Sequence, residues 1–551
     1  MLESLRIIPL GGLGEIGKNM MVFEYGDDIM IVDAGIMFPS NDMLGVDLVL
    51  PDWSYLRDKV DQIRGIVITH GHEDHLGALP YFLHDLELDV PIYATRLVQG
   101  LIDRKLRDAK LQKQCERVEI KAGEPFLLGP FEIEGISFNH SIPDGVALAI
   151  RTPAGMVLHS GDFKFDYSPV HGTSPDFGRL AQLGAEGVMV LLADSTGAER
   201  PGWTPSEAII ADAFDRIFRD APGRIIVSTF ASLLSRVQQI LDAAHAHRKK
   251  VALAGYSMLQ NVKIARKLGY LNVPRGTLIE LEKIKSLDPK KTVIITTGAQ
   301  GQPEAALARI ATNKHRDIKI IPGDTVILSS HPIPGNEEMI SEMINRLFRR
   351  GAEVIYPPLA PVHVSGHAAQ EEMKLLLTLT SPEYFVPVHG ELRHLKAHAR
   401  LAKEVGVPED YILTVENGTV LEFDEDGALI RERIPGGYIF VDGSRVGDIG
   451  PSVLRDRDVL GSHGFVMVAF VWNSETRKVE GQPEIISRGF IYEKESQDLL
   501  SGARDHLIET LDDTSRVSKR GIEEASRLAL SRYFYEQTGR RPLVVPMVVI
   551  V

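Results

Sequence analysis

His70-Gly71-His72-Glu73-Asp74-His75 sets His70, His72, Asp74 and His75, four candidate metal ligands, within six positions. Residues 66–69 (IVIT) precede it and read as a buried strand. In an extended segment His70 and His72 point the same way, and a turn after them brings Asp74 and His75 round to a second position nearby. That spacing suits two adjacent cations. Three further residues stand where a strand should end: His140 in ISFNHSIPD, Asp162 in MVLHSGDFKFD and His389 in YFVPVHGE. Strand ends are rigid enough to hold a coordination shell. The seven residues then form one constellation: His70, His72 and His140 hold one metal, Asp74, His75 and His389 hold the other, and Asp162 bridges them. Nitrogen and oxygen donors without thiolate suit Zn²⁺, and Mn²⁺ is also compatible.

The elements that must position this cluster are legible in outline. GGLGEIGKN, residues 11–19, matches GxGxxG through Gly12, Gly14 and Gly17. In a dinucleotide fold the third glycine would open a helix over a pyrophosphate. Here MMVFEY and IMIV flank a GDD turn, which predicts a hairpin, with the glycines serving a tight turn between strands. Thr204-Pro205-Ser206-Glu207 reads as a capping box that opens a helix running to about Asp220. Beyond it RIIVSTFAS, KVALAGYSM, VIITTGAQGQPE and TVILSSHPIPGNEE alternate with helical stretches, predicting an open parallel sheet. Loops 298–303 and 329–336 at its strand ends would offer N–H groups to anions such as phosphates.

At 551 residues, 44% hydrophobic and 25% charged, the chain is expected to hold three soluble domains. No apolar run approaches the roughly 20 residues of a membrane span, and no basic-then-apolar leader opens the sequence. The single cysteine, Cys115, excludes an internal disulfide framework, so a reducing cytoplasm is expected. A net charge of −14 argues against non-specific coating of nucleic acid and leaves room for local basic grooves or bound cations. The basic stretch 96–121 reads as a solvated helix face. Near the C-terminus, PGGYIFVDGSRVGDIG reads as a linker. Strands over 464–472 and 485–493, two helices over 496–538 and a final strand over 543–551, interrupted by proline, complete a small α/β domain.

The cluster, with Asp33 closing an early strand in MIVDAG, resembles the metallo-β-lactamase superfamily. The inserted segment, Asp194 in LLADSTGAERPG, SGHA and PVHGE resemble the β-CASP nucleases within it. LGGLGEIGKNM, THGHEDHLGALP, HSIPD, GDFKFD, SSHPIPGNE and VHVSGHA are similar to the bacterial ribonuclease J family, over nearly the whole chain and more weakly after about residue 434.

The resemblance implies an α/β fold: a metallo-β-lactamase αββα sandwich (1–205 and 361–434) with an inserted β-CASP domain (206–360), a linker (435–450) and a C-terminal domain (451–551) for self-association or RNA positioning. It implies a two-metal ribonuclease of RNA maturation and mRNA decay, a 5′ to 3′ exonuclease that prefers a 5′ monophosphate and also cuts internally. Asp33 would hold a metal ligand from behind. His367, tuned by Asp194, would stabilise developing charge or protonate the leaving group. Ser232, His363, Ser365 and Gly366, with Ser329 and Ser330, would receive the 5′ phosphate and RNA backbone. Leu233 and Ser235 stand where the family carries polar groups near that pocket, which implies weaker sensing of the monophosphate, and Gln302 and His331 also depart from the family pattern. Expected partners are single-stranded RNA, further copies of the chain in a homodimer or homotetramer, and other RNA-decay proteins, with no membrane. The rival readings are a small-molecule metallo-hydrolase, which has no use for the insertion, and a non-catalytic RNA-binding subunit, which the seven intact ligand positions disfavour.

Overall fold

Aliphatic and β-branched runs cut by Gly, Asp and Pro turns give the chain many short strands, and their alternation decides which face each one buries. The computed structural model describes residues 4–551 apart from 41, 173, 334, 425–426, 493–495 and 513–517. They form two compact units, one of residues up to Phe38 with Val49–Ile439, the other of Pro39–Leu48 with Phe440–Val551.

The first unit is built on two facing sheets. One has eight strands in the order Gly427–Arg433, Thr419–Asp424, Leu5–Gly11, Met20–Tyr25, Asp28–Val32, Ile63–Val67, Ile92–Ala94 and Arg117–Glu119. The other has six, ordered Tyr384–Val388, Val190–Asp194, Gly155–His159, Val146–Thr152, Phe131–Ser137 and Phe126–Leu128. Ile7, Phe23, Met30 and Val67 of the first share a core with Ile133, Leu148, Val157 and Leu192 of the second. Each such fully buried side chain contributes about 1.5–3 kcal/mol. On the outer face of the second sheet, Ala149, Leu158, Leu191 and Phe385 pack with helices Phe177–Glu186, Gln370–Thr380 and Leu392–Glu404. Helix Arg96–Asp108 lies against the edge of the first sheet, completing the αββα layering.

The hairpin expected after the glycine-rich stretch is present as Met20–Tyr25 paired with Asp28–Val32. Gly12, Gly14 and Gly17 take φ of 90°, 77° and 113°, in the region that favours glycine. A Cβ on Gly11 would fall 1.8 Å from the Lys18 carbonyl and one on Gly12 would fall 2.2 Å from Asn19 Oδ1. The glycines therefore let the loop fold back on Lys18 and Asn19.

The insertion is a six-stranded sheet, parallel throughout, ordered Leu278–Ile279, Lys250–Ala254, Thr292–Thr296, Ile225–Ser228, Thr325–Leu328 and Glu353–Ile355. Its helix after Thr204 starts late, spanning Ile209–Asp220. The expected cap is diverted: Thr204 donates its hydroxyl to the His367 carbonyl (2.8 Å) and its N–H to Glu372 (2.7 Å). The basic face of helix Arg96–Asp108 is not wholly solvated either. Arg104 donates to Asn261 Oδ1 at 2.7 Å, and a Cβ on Gly100 would meet Leu268 at 2.8 Å, because the insertion's helix Tyr256–Leu268 packs across it.

In the second unit, Phe465–Asn473 alternates buried and half-buried residues between the antiparallel Lys478–Arg488 and the parallel Leu543–Ile550. Helices Gln497–Asp512 and Lys519–Thr538 cover the buried face through Leu507, Leu511, Leu530 and Phe534. The strand expected over 485–493 lies earlier, and Glu493 is outside the described residues. Pro546 does not interrupt the last strand, which runs along the sheet edge where a missing N–H costs no ladder bond. The segment expected as a linker carries the short strands Tyr438–Asp442 and Arg445–Val446.

Arg236 ties the insertion to the returning chain. It is fully buried, donating to Glu207 (2.6 Å), Gln239 (2.9 Å), the Val362 carbonyl (2.6 Å) and Ser329 Oγ. Arg236→Met leaves the buried Glu207 carboxylate with only the longer Lys164 contact at 3.7 Å, so chemical denaturation is expected to show a loss of about 3–5 kcal/mol.

Candidate metal centre

The ligand candidates converge because parallel neighbouring strands end level with one another. In the second sheet, Asp194 pairs in register with Val388, the residue before His389, and His159 pairs with Leu192, placing Asp162 just beyond. In the first sheet Val32 pairs with Val67, so Asp33 and the loop to His70 leave together. The four-residue helix Glu73–Leu76 then turns Asp74 and His75 inward. A Cβ on Gly35 would fall 1.6 Å from the Asp74 carbonyl, so only glycine allows the Asp33 loop to lie against this helix.

Two sets of potential ligand atoms each gather within 4.8 Å: His70, His72, His140 and Asp162, and Asp74, His75, Asp162 and His389. A third set, Asp162, Asp194, His367 and His389, adjoins them. In the first, His72 Nδ1 lies 3.1 Å from His70 Nε2 and 3.0 Å from His140 Nε2. Three nitrogens around a Zn²⁺ at about 2.1 Å would stand roughly 3.4 Å apart, so the triangle fits a cation with slight expansion. In the second, Asp162 Oδ1 lies 3.1 Å from His389 Nδ1 and 3.3 Å from His75 Nε2, yet Asp162 Oδ1 and His389 Nε2 are buried without a hydrogen bond. Buried polar atoms of this kind need a partner, and these donors suit a divalent cation.

Each imidazole is oriented from behind. Asp33, at a positive φ of 62°, accepts from Thr69 N (2.8 Å) and Thr69 Oγ1 and lies 2.7 Å from His75 Nδ1, leaving His75 Nε2 for the pocket. His140 Nδ1 donates to the Gly366 carbonyl at 2.7 Å. His367 Nδ1 lies 2.8 Å from Asp194 Oδ2, while Asp194 Oδ1 accepts from Thr196 N at 2.9 Å and stands 3.2 Å from His389 Nδ1.

Burial and neighbouring imidazoles hold His70 and His140 well below the usual imidazole range, and burial pulls His72 down to about 4 despite Asp74 and Asp162. These three therefore present neutral lone pairs. Burial also opposes charge on His389, but Asp162, Asp194 and Asp74 push it up to about 10, and the carboxylates around His75 raise it well above its usual range. Burial opposes ionisation of Asp162 and Asp194 too. The histidines beside them win and keep both carboxylates well below their usual range.

The residues expected around the 5′ end are less uniformly placed. Ser365 Oγ accepts from His367 N at 3.1 Å, and Gly366 packs so closely that a Cβ would lie 2.7 Å from His140 Cε1. His363 stacks edge-on with His331, ring centres 4.9 Å apart, and its buried Nδ1 has no hydrogen bond. Ser329 Oγ donates to the Val362 carbonyl at 2.7 Å, Ser330 is buried, and half-buried Ser232 lies in the turn before helix Leu234–Ala246. Leu233 is buried, whereas Ser235 borders a small cavity shared with His140 and Lys164. Loops 298–303 and 329–336 are bound to each other through Gln300, which accepts from Ile333 N (2.8 Å) and donates to the His331 carbonyl (2.7 Å); Pro334 is outside the described residues.

Sequence reasoning missed several supports. Asn19 Nδ2 holds the Asp74 carbonyl at 3.0 Å and lies equally close to His75 Nε2, a contact that a bound cation would displace. Thr196 Oγ1 lies 3.0 Å from His389 Nδ1, and Arg200 donates to the His367 carbonyl at 2.8 Å. Glu372, fully buried, accepts from the N–H groups of Phe165, Thr204 and Ala369. A signal was available for Glu372 alone, since it shares the apolar stripe of its helix with Leu376.

Sequence profiles match four segments of the chain. The beta-lactamase superfamily domain matches residues 30–212, the ribonuclease J beta-CASP domain 222–347, the Zn-dependent metallo-hydrolase RNA specificity domain 358–411 and the ribonuclease J C-terminal domain 452–551. The chain is 42% identical to ribonuclease J 1 of Streptococcus pyogenes over 549 residues, covering 99% of this chain and 98% of that one. It is 40% identical to ribonuclease J2 of Bacillus subtilis, with the same coverage, and 42% identical to ribonuclease J of Thermus thermophilus, covering 99% and 95%. A solved structure of an Enterococcus faecalis protein of unknown function shares the fold at a TM-score of 0.55 and 15% identity, covering 76% of this chain and 100% of that one. Full-length identity at this level, with a profile match in every domain, makes the chain a member of the ribonuclease J family.

Proposed function

We propose that this chain is a metal-dependent ribonuclease that uses two divalent cations, Zn²⁺ or Mn²⁺, to remove nucleotides from the 5′ end of RNA and to cut internally. The observation that carries this reading is the double ligand set sharing Asp162, with the Asp194–His367 pair at its edge, in a member of the ribonuclease J family. His70, His72, His140 and Asp162 would hold one cation, and Asp74, His75, Asp162 and His389 the other. Bound there, the cations would neutralise phosphoryl oxygens and acidify the attacking water.

The chain's own residues do the rest. Asp33 and the Gly366 carbonyl fix two imidazoles by their Nδ1 atoms, so that Nε2 would be the atom offered to a cation. His367 has Nδ1 engaged by Asp194 and is 22% exposed, so its Nε2 is the atom that would hold a proton for the departing 3′ oxygen. The 5′ phosphate is assigned to Ser232, His363, Ser365 and Gly366, with Ser329 and Ser330 holding the loop beside them. Self-association into a homodimer or homotetramer is assigned to the C-terminal unit, whose edge strand exposes Val545, Met547 and Val549. No helix among the described residues is long and apolar enough to cross a membrane. Action in the cytoplasm alongside other RNA-decay proteins belongs to the same reading.

End-labelled single-stranded RNA tests it. Mononucleotide release from the 5′ end with Zn²⁺ or Mn²⁺, abolished by chelator, is expected, with a weakened preference for the monophosphate end because buried Leu233 offers no hydrogen bond. RNA that binds but is never cut under any metal would identify a non-catalytic subunit instead. His367→Ala should lower kcat by about 10²–10⁴-fold while elemental analysis still finds two metals per chain. Asp33→Asn should weaken Zn²⁺ binding to metal-free protein about 10–100-fold by titration.

A further inference from the structure

Of the three tryptophans, Trp53 and Trp472 are fully buried, at 0% and 1% exposure, whereas Trp203 is 48% exposed. Beside it stands Tyr167, 60% exposed, with ring centres 6.2 Å apart and planes inclined by 54°. Two large rings left side by side in water have an unfavourable solvation that a ligand relieves. Both are held firmly. Phe177 packs under Tyr167 at 5.6 Å and is itself edge-on to the buried Phe165. The segments that carry the two rings are tied by Ser168 Oγ donating to Ser206 Oγ and Ser206 Oγ donating to the Ser168 carbonyl, each at 3.1 Å. On either side of Trp203, the Gly202 carbonyl accepts from Glu371 N, and Thr204 hydrogen-bonds the His367 carbonyl. Tyr167 lies on the segment leaving Asp162. The pair therefore belongs to the two chain segments that frame the metal centre.

We propose that Tyr167 and Trp203 form a stacking platform for a nucleobase of single-stranded RNA held beside the centre, a reading that rests on the ribonuclease function. Every base has a π face, so such a platform grips RNA without reading its sequence. It also suits a chain of net charge −14, which has little general cationic attraction for a polyanion.

Trp203 is its own reporter. In the chelated full-length protein, oligouridylate should quench tryptophan fluorescence, and Trp203→Leu should lose that quenching. With metal restored, Trp203→Leu and Tyr167→Ala should each raise KM for oligouridylate about tenfold with kcat unchanged. The rise should vanish on the same chain carrying abasic residues. Hydrolysis of bis(p-nitrophenyl) phosphate, which carries no nucleobase and no RNA chain, should be the same in all three proteins. An unchanged KM on base-bearing RNA, or an equal rise on abasic RNA, overturns the platform while that small diester is still hydrolysed. If wild type cuts neither substrate, the ribonuclease reading fails instead.

Discussion

Asp162 lies buried just past strand Gly155–His159, with Oδ1 3.1 Å from His389 and 3.3 Å from His75, and Oδ2 3.7 Å from both His70 and His140. A carboxylate taken out of water loses several kcal/mol of hydration unless opposite charge and hydrogen bonds replace it. Those partners must come from far apart in sequence, and they must arrive at one point. Two sheets packed face to face, with their strand ends level at one rim, achieve that convergence with backbone held by ladder hydrogen bonds. Much of the first unit is the means of keeping this one negative charge company.

The same constraint explains the tethers behind the imidazoles. An imidazole with two free nitrogens has two tautomers and a rotating ring, and it would meet its neighbours at random. Asp33 behind His75, the Gly366 carbonyl behind His140 and Asp194 behind His367 remove that freedom. Thr69 and Thr196 support the two carboxylates in turn, Arg200 holds the His367 carbonyl, and Asp194 is itself the last residue of strand Val190–Asp194. Glycine is needed at two close approaches: Gly35 against Asp74 and Gly366 against His140 leave no room for a Cβ.

What could be read from the sequence follows from how local each interaction is. His70, His72, Asp74 and His75 announce themselves because chemistry and spacing occur in one short run, and alternation of strand and helix marks the inserted sheet for the same reason. His140, Asp162 and His389 are ordinary residues until that run gives them a context. Asn19 and Thr196 act through groups of distant segments, and nothing local marks such a partner, whereas Glu372 is marked only by its place on an apolar helix stripe. Thr204 misleads for a related reason. Its pattern is that of a helix cap, but a carboxylate and a carbonyl on another segment compete for the same groups and win. The basic helix face misleads because its cover, the helix Tyr256–Leu268, is encoded more than a hundred residues later.

His389 follows strand Tyr384–Val388, which joins the second sheet beside Val190–Asp194 only after the entire inserted domain has been threaded out. Until that strand docks, the edge of Val190–Asp194 is open, Asp194 lacks one of its imidazoles and the second ligand set has three members instead of four. During synthesis from the N-terminus, the cluster therefore stays incomplete until the insertion and strand Tyr384–Val388 have both been made. Completion of the sheet and completion of the centre are one event, and the long detour through the insertion acts as a delay built into the order of the residues.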